Sequence, residues 1–186
     1  MPRTRFRPED VGNARDSFGR PYRETLISGC GAGITAGSGT LYKTAIRREG
    51  SLIYTDIFMD LTGLSSSTTD LDIIGTAGVC HIGQITPAEC GTIVGGWMRC
   101  LEVPAGGIDD IDLYAATEGT GAYDGAISGL VETAVVTAGG AWTLDEVIPR
   151  IADTVTANQY LYLTGGAGGT AAAYTAGRFL ITLVGY

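Results

Sequence analysis

The sequence predicts an all-β protein, a jelly-roll-like β-sandwich of about eight strands preceded by an extended N-terminal arm. Three observations lead to this prediction. The chain of 186 residues contains 29 glycines and 23 threonines, a combination that weakens helices and favours strands and tight turns. Short runs alternate apolar and polar residues with a period of two, as half-buried strands do. Segments rich in glycine or proline separate nearly all of these runs.

Residues 1–40 are predicted to form a basic arm with a glycine-rich hinge at 29–40, and residues 41–186 the β-sandwich domain. Residues 1–23 show neither helix nor strand periodicity, and their arginines alternate with prolines and acids. Arginine binds carboxylates through two parallel hydrogen bonds, which suits an acidic protein partner. The six candidate binding residues of the arm are Arg3, Arg5, Arg7, Arg15, Arg20 and Arg23.

The domain is predicted to be a series of short strands. In chain order these strands cover 41–48, 52–61, 79–85, 93–102, 111–118, 130–137, 159–164 and 178–184. The clearest case is 52–61, where Ile53, Ile57 and Met59 share one face. The last strand is apolar on both faces, which is expected of a central strand or of one covered by a neighbouring subunit.

One helix signal occurs near the end of the domain. Thr143 and Glu146 have the spacing of a capping box, but Pro149 would interrupt a helix there, so at most a single turn is expected.

The net charge of −8 is unevenly distributed. Residues 1–50 carry nine Lys/Arg and five Asp/Glu, whereas residues 51–186 carry three and fifteen. We expect no nucleic-acid partner for the acidic body, because phosphates would be repelled. No apolar run approaches the ~20 residues that cross a bilayer, so no membrane partner is expected. The N-terminus lacks the apolar core of a secretory signal, which predicts a protein that assembles in the cytoplasm where it is made.

Signals for chemistry are weak, so we predict no catalytic residue, metal, cofactor or small-molecule substrate. His81 is the single histidine and lacks metal-ligand spacing; its ring is expected at the surface. Two acidic clusters, Asp70 with Asp72 and the group at 109–112, could offer oxygen ligands to Ca²⁺, but neither continues into an EF-hand pattern. The cysteines, Cys30, Cys80, Cys90 and Cys100, are expected as reduced, mostly buried thiols, with disulfides as the open alternative.

Three segments carry a resemblance to a known family. They are IYTDIFMDLTGL at 53–64, CLEVPAGG at 100–107 running into DLYAATEG at 112–119, and ANQYLYL at 157–163 with YTAGRFLI at 174–181. They resemble small structural proteins of tailed bacteriophages, cyanophages included, some of which are capsid cement (decoration) proteins. The resemblance covers roughly residues 41–186 and leaves out the arm.

The resemblance implies a jelly-roll domain that forms a homotrimer on the capsid exterior, binds the major capsid protein and stabilises the shell. The arm arginines would then contact the shell. Apolar residues of the last strand, and tyrosines, which suit interfaces, make up the predicted oligomer interface. Its members are Tyr160, Tyr162, Phe179, Ile181 and Leu183.

Two other functions are alternatives to this prediction. A tail- or fibre-associated adhesin domain that binds host glycans is the main alternative, although the chain has no long repetitive shaft. A glycan hydrolase or a cupin-like enzyme is the other, but cupins need several metal-binding histidines and this chain has one. The sequence therefore predicts a non-enzymatic virion protein, a capsid cement protein.

Overall fold

The computed structural model of the chain describes residues 25–27, 41–150 and 155–186, excepting the side chains of 25–27 and 41–43. Within these ranges the chain forms ten strands, a four-residue α-helix at Pro87–Cys90 (α1) and a 3₁₀ turn at Ile127–Leu130. The strands are Thr25–Ile27 (β1), Leu41–Glu49 (β2), Leu52–Asp60 (β3), Gly83–Gln84 (β4), Ile93–Ala105 (β5), Ile111–Ala116 (β6), Glu132–Val136 (β7), Val147–Pro149 (β8), Tyr160–Gly165 (β9) and Ala176–Gly185 (β10).

The strands form two antiparallel sheets, which confirms the all-β prediction. The six-stranded sheet has the order β1-β2-β3-β10-β5-β8, and the four-stranded sheet has the order β4-β9-β6-β7. From β3 onward the chain crosses between the sheets after nearly every strand; only β6 and β7 follow each other in one sheet. The eight strands β3 to β10, in these two sets of four neighbours, have the order of a jelly roll.

The predicted number of strands agrees with this jelly roll, but the membership differs. The predicted strand at 41–48 is β2, which lies outside the eight and extends the six-stranded sheet beyond β3. The missing member is β8, where only a turn was expected. The chain does turn there, with the Glu146 carboxylate accepting hydrogen bonds from the Thr143 backbone N–H (2.8 Å) and hydroxyl (3.0 Å). The turn is not helical, because Asp145 has a φ of 64°. The chain then extends beside β5, and Pro149 is tolerated because β8 is an edge strand.

Strand β1 lies inside the segment predicted to be the arm. Thr25 pairs with Ile46 and Ile27 with Thr44, so β1 is antiparallel to β2. Without β1, the nine-residue β2 would be the sheet edge, with a row of unpaired backbone groups. This need for pairing accounts for a strand that the local sequence pattern did not indicate.

The hydrophobic core fills the space between the two sheets. Alternate residues of β3 and β10, such as Met59, Phe179 and Ile181, point inward and are 0% exposed. Trp142 closes one side of the core: its ring packs edge-on against Phe179 at 5.2 Å between centroids, and its indole N–H donates to the Ile111 carbonyl at 2.8 Å. One face of each sheet is therefore buried in the core.

Loops cover the opposite face of the four-stranded sheet. This covered face carries Tyr114, Ala116, Tyr160, Tyr162 and Thr164, together with Asp112. The segment that begins at 117 lies over it: a Cβ atom on Gly119 would collide with the Tyr160 ring, and Tyr162 is 0% exposed. Part of 61–82 instead runs along the edge of the sheet, where the Ile74 N–H donates to the Leu163 carbonyl of β9 at 2.9 Å. The Tyr162 hydroxyl donates to the Glu118 carbonyl (2.8 Å) and accepts from the Gly121 N–H (3.2 Å), which ties a covering loop to the sheet.

Candidate interaction surface

The predicted oligomer interface does not lie on the surface of the chain. Tyr162, Phe179, Ile181 and Leu183 are at most 2% exposed in the single chain, and Tyr160 is half-buried against His81. The four buried side chains pack within their own domain, so a second copy could not contact them without unfolding it. The interface prediction is corrected on this point. The six arm arginines, from Arg3 to Arg23, lie outside the described residues.

The position of β10 explains why these side chains are buried. This strand lies between β3 and β5 in the six-stranded sheet, so one of its two apolar faces belongs to the core. Side chains alternate across a strand, and the other face therefore carries Leu180, Thr182 and Val184. Leu180 and Val184 remain partly exposed. The sequence identified an apolar strand correctly but could not tell which set of its residues faces outward.

The outward side of the six-stranded sheet, here called the open face, carries partly exposed apolar side chains on both sides of the polar pair Asp56–Thr182. Across the strands, Phe58 is opposite Leu180 and Leu180 is opposite Arg99, while Tyr54 is opposite Val184. Trp97 lies between Thr182 and Pro149 in the neighbouring row. The apolar members of the open face are Ala45, Tyr54, Phe58, Trp97, Leu180 and Val184, all of intermediate exposure.

Charged side chains on the open face are paired with one another. The Asp56 carboxylate accepts hydrogen bonds from the Thr182 hydroxyl (2.6 Å) and the Arg47 Nε–H (3.2 Å). The Arg47 guanidinium also pairs with Glu49 and lies 4.0 Å from the centre of the Tyr54 ring, a cation–π contact. These contacts hold the Tyr54 and Arg47 side chains in place, so this part of the surface is already ordered before any partner binds.

A second ionic group lies at the far end of β10. Arg178 donates to Asp60 at 2.8 Å and lies 3.3 Å from Glu102. Burial alone would raise the pKa of Asp60, but the hydrogen bonds from Arg178 and from Thr62 hold that pKa below its usual value. The carboxylate therefore stays charged at neutral pH and fixes the end of the strand.

The basic residues are confined to one half of the molecule. Every described Lys and Arg lies in a strand of the six-stranded sheet or directly after one: Lys43, Arg47, Arg48, Arg99, Arg150 and Arg178. The segments that build the four-stranded half are 61–92, 106–144 and 155–175. The first two carry three and six Asp/Glu, the third carries none, and no Lys or Arg occurs in any of them. The open face is thus of mixed charge, and the opposite half is acidic.

The candidate nucleophiles lie in the interior. Cys80, Cys90 and Cys100 are free and buried, as predicted, and burial raises the pKa of each thiol; Cys30 is outside the described residues. A buried thiol with a raised pKa is a poor nucleophile. His81 is 8% exposed and packs edge-on against the Tyr160 ring, so the expectation of a surface ring was wrong.

In the ranges that the structure describes, no group of three or more His, Cys, Asp or Glu is placed to hold a metal ion. The same ranges contain no helix long and apolar enough to cross a membrane.

The sequence reasoning did not single out Trp97, Phe58 and Leu180 as surface residues. A signal for Phe58 was present, because Tyr54 and Phe58 alternate with the core residues of β3 and share their face with Asp56 and Asp60. Aromatic rings on the polar face of a strand indicate that apolar side chains also lie on the outward side of the sheet.

No protein-family model matches the chain, and neither a curated protein nor a solved structure does.

Proposed function

We propose that the chain is a structural protein of a tailed-phage particle, a capsid cement protein that self-associates through its open face and binds the outside of the shell. One observation carries the self-association: the partly exposed apolar side chains of the open face, among them Leu180, Trp97 and Phe58. The resemblance of residues 41–186 to small structural phage proteins supports the rest.

The open face suits a second copy of the chain. Its apolar side chains lie on either side of the Asp56–Thr182 pair. The ion pairs Arg47–Asp56 and Arg99–Asp145 lie within the chain, so a contacting surface would find few unpaired charges among these side chains to desolvate. Burying apolar area contributes about 25 cal/mol per Å² before the cost of association. The proposed homotrimer is a closed ring, in which one part of the open face would contact a different part on the next copy.

In this proposal, the binding equilibrium between the protein and the shell is what stabilises the shell. A protein that binds the assembled shell, and not its loose subunits, stabilises the shell by its binding free energy. An oligomer that presents several arms gains further affinity when the arms bind together. In this proposal the arginines of the arm bind acidic patches of the major capsid protein, and the particle is assembled in the host cytoplasm.

The self-association is tested by light scattering coupled to size-exclusion chromatography of the full chain. We expect an oligomer, a trimer in our proposal, that Leu180→Asp converts to a folded monomer, because the new charge would be buried in the contact. Val131→Asp is the matched control: it makes the same kind of change at a valine that is 66% exposed, on the opposite half of the molecule. A wild-type monomer at all concentrations, or equal effects of both variants, would contradict the proposal.

The location on the shell is tested by the copy number of this chain per major capsid protein in purified particles, measured by quantitative mass spectrometry. Cement proteins coat the lattice, so we expect a ratio near one to one or a simple fraction of it. A ratio of a few per cent would place the chain at a vertex or on the tail instead.

A glycan-binding adhesin domain is the second candidate, because Trp97 and Tyr54 present rings beside polar groups on the open face, and aromatic rings can stack on sugars. This candidate predicts the low copy number, together with binding on a glycan array that Trp97→Ala abolishes. A lattice-like copy number without glycan binding would remove it.

A further inference from the structure

Two acids of the covered face are buried side by side at the start of β6. Asp110 is 8% exposed and Asp112 is 5% exposed. They are two residues apart in extended chain, so their side chains leave the sheet on the same side. A Cβ atom built on Gly166 would collide with Asp110 Oδ1 and lie 3.0 Å from Asp112 Oδ1. Both carboxylates therefore crowd the same face of Gly166.

Two buried oxygen atoms at this place have no hydrogen-bond partner. They are Asp110 Oδ1 and the hydroxyl oxygen of Thr164, a residue that is 0% exposed. Thr164 is directly opposite Asp112 in the β6–β9 ladder, so the two side chains are neighbours on one sheet face. Several oxygen lone pairs at this place therefore accept no hydrogen bond. Burying such oxygen atoms without a partner costs free energy of folding.

Among the residues that the structure describes, none supplies a positive charge to this pair. Backbone N–H groups of Ala138 and Gly140 donate to Asp112 and Asp110, the former at 2.7 Å, but these are partial charges only. The nearby charged groups that act on the pair are Asp70 and Asp109, which are also acidic. Burial raises the pKa of both carboxyl groups, and these neighbouring negative charges raise it further. No described Lys or Arg acts on the pair, and a bound cation would compensate the two carboxylates.

The geometry points to a binding site for one hard divalent cation, Ca²⁺, held by Asp110, Asp112 and the Thr164 hydroxyl. Ca²⁺ accepts six to eight oxygen ligands, including carboxylates, carbonyls and water, and tolerates irregular geometry. The set contains two buried carboxylates and a neutral hydroxyl, so it does not form a cluster of three metal-binding side chains of the usual kind. The exposed Asp70 adds negative potential at the mouth of the site.

Ca²⁺ binding is tested on the full chain after treatment with a chelator, by calorimetric titration with CaCl₂ and by thermal unfolding. We expect one Ca²⁺ per chain and a rise in Tm of roughly 5 °C or more at about 100 times Kd. Asp110→Asn is expected to weaken binding about tenfold or more. Asp124→Asn removes the same charge from an exposed loop position and should change Kd less than about twofold.

Thr164→Val gives an independent test, because it keeps the shape and removes the hydroxyl. Without Ca²⁺ this variant should be at least as stable as the wild type, since an unsatisfied buried oxygen has been removed. With Ca²⁺ its rise in Tm should be smaller than that of the wild type. An equal rise would exclude the hydroxyl as a ligand.

Three results would overturn the site as a whole. They are the absence of both binding heat and a Tm shift, equal Kd values for Asp110→Asn and the wild type, and a larger stabilisation by Mg²⁺ than by Ca²⁺. If Asp110→Asn simply stabilises the protein and Ca²⁺ has no effect, the carboxyl pair shares a proton and holds no cation.

Discussion

The two sheets of this domain treat their outward faces differently. Long loops lie over the four-stranded sheet, and Tyr162 on that side is 0% exposed with its hydroxyl bonded to two loop backbone groups. No described segment lies over Leu180 and Trp97 on the open face of the six-stranded sheet, and they stay partly exposed. A jelly roll that covers one sheet with its own chain leaves the other sheet free to contact a partner.

The connections explain the difference. The segments between β3 and β4 and between β6 and β7 are long, and a side chain of each, Ile73 and Leu130, meets the Tyr162 ring beside Gly121. On the other side, β2 and β3 are joined by a hairpin in which Glu49 pairs with Leu52, too short to cover anything. Tyr162 on the covered face is therefore buried, and the apolar residues of the open face stay partly exposed.

The largest expected effect tests the two faces of β10 directly. Ile181 is 0% exposed, so Ile181→Asp would bury an unpaired charge and should cost more than about 4 kcal/mol, enough to prevent folding. Leu180→Asp is next in the chain but on the open face, with Arg99 opposite it. It should cost about 1 kcal/mol and leave a folded chain. Circular dichroism and thermal unfolding distinguish the two.

If Leu180→Asp unfolds the protein as completely as Ile181→Asp does, the open face is covered in the folded chain. The comparison between the two sheets would then fail, and with it the proposal that a second copy binds there.

A smaller effect separates the tyrosines of the two faces. Tyr162→Phe leaves the Gly121 N–H and the Glu118 carbonyl without their buried partner, and we expect a loss of about 2 kcal/mol. Tyr54→Phe keeps the ring that Arg47 contacts and should change the free energy of unfolding by less than about 0.5 kcal/mol. Urea unfolding of both variants measures the difference; equal losses would show that the covering loop is not held through Tyr162.

The sequence predicted strands such as β3, β6 and β9 because their residues alternate with a period of two. In β3 the period reflects one buried face, whereas β6 and β9 are buried on both faces. It could not assign the faces of β10, since both are apolar. It missed β8, because three residues ending in proline carry no periodic signal. In the sequence, Asp70 and the acids at 109–112 form separate clusters. Only the folded chain brings them close enough to act on one another.

The smallest expected effect concerns two adjacent glycines in β5. A Cβ on Gly95 would meet nothing within 4 Å, because that position opens onto the open face beside Val184. Gly95→Ala should therefore stabilise the chain by about 0.5 kcal/mol, chiefly by restricting the unfolded state. Gly96 faces the other way: a Cβ there would collide with the Thr182 carbonyl oxygen and lie 3.2 Å from Leu183 Cα, so Gly96→Ala should lose stability.

Thermal unfolding at low protein concentration isolates the effect of each substitution on the single chain. If Gly95→Ala is stabilising there but weakens self-association at high concentration, the second copy approaches the backbone of β5 closely, which would place Gly95 within the contact.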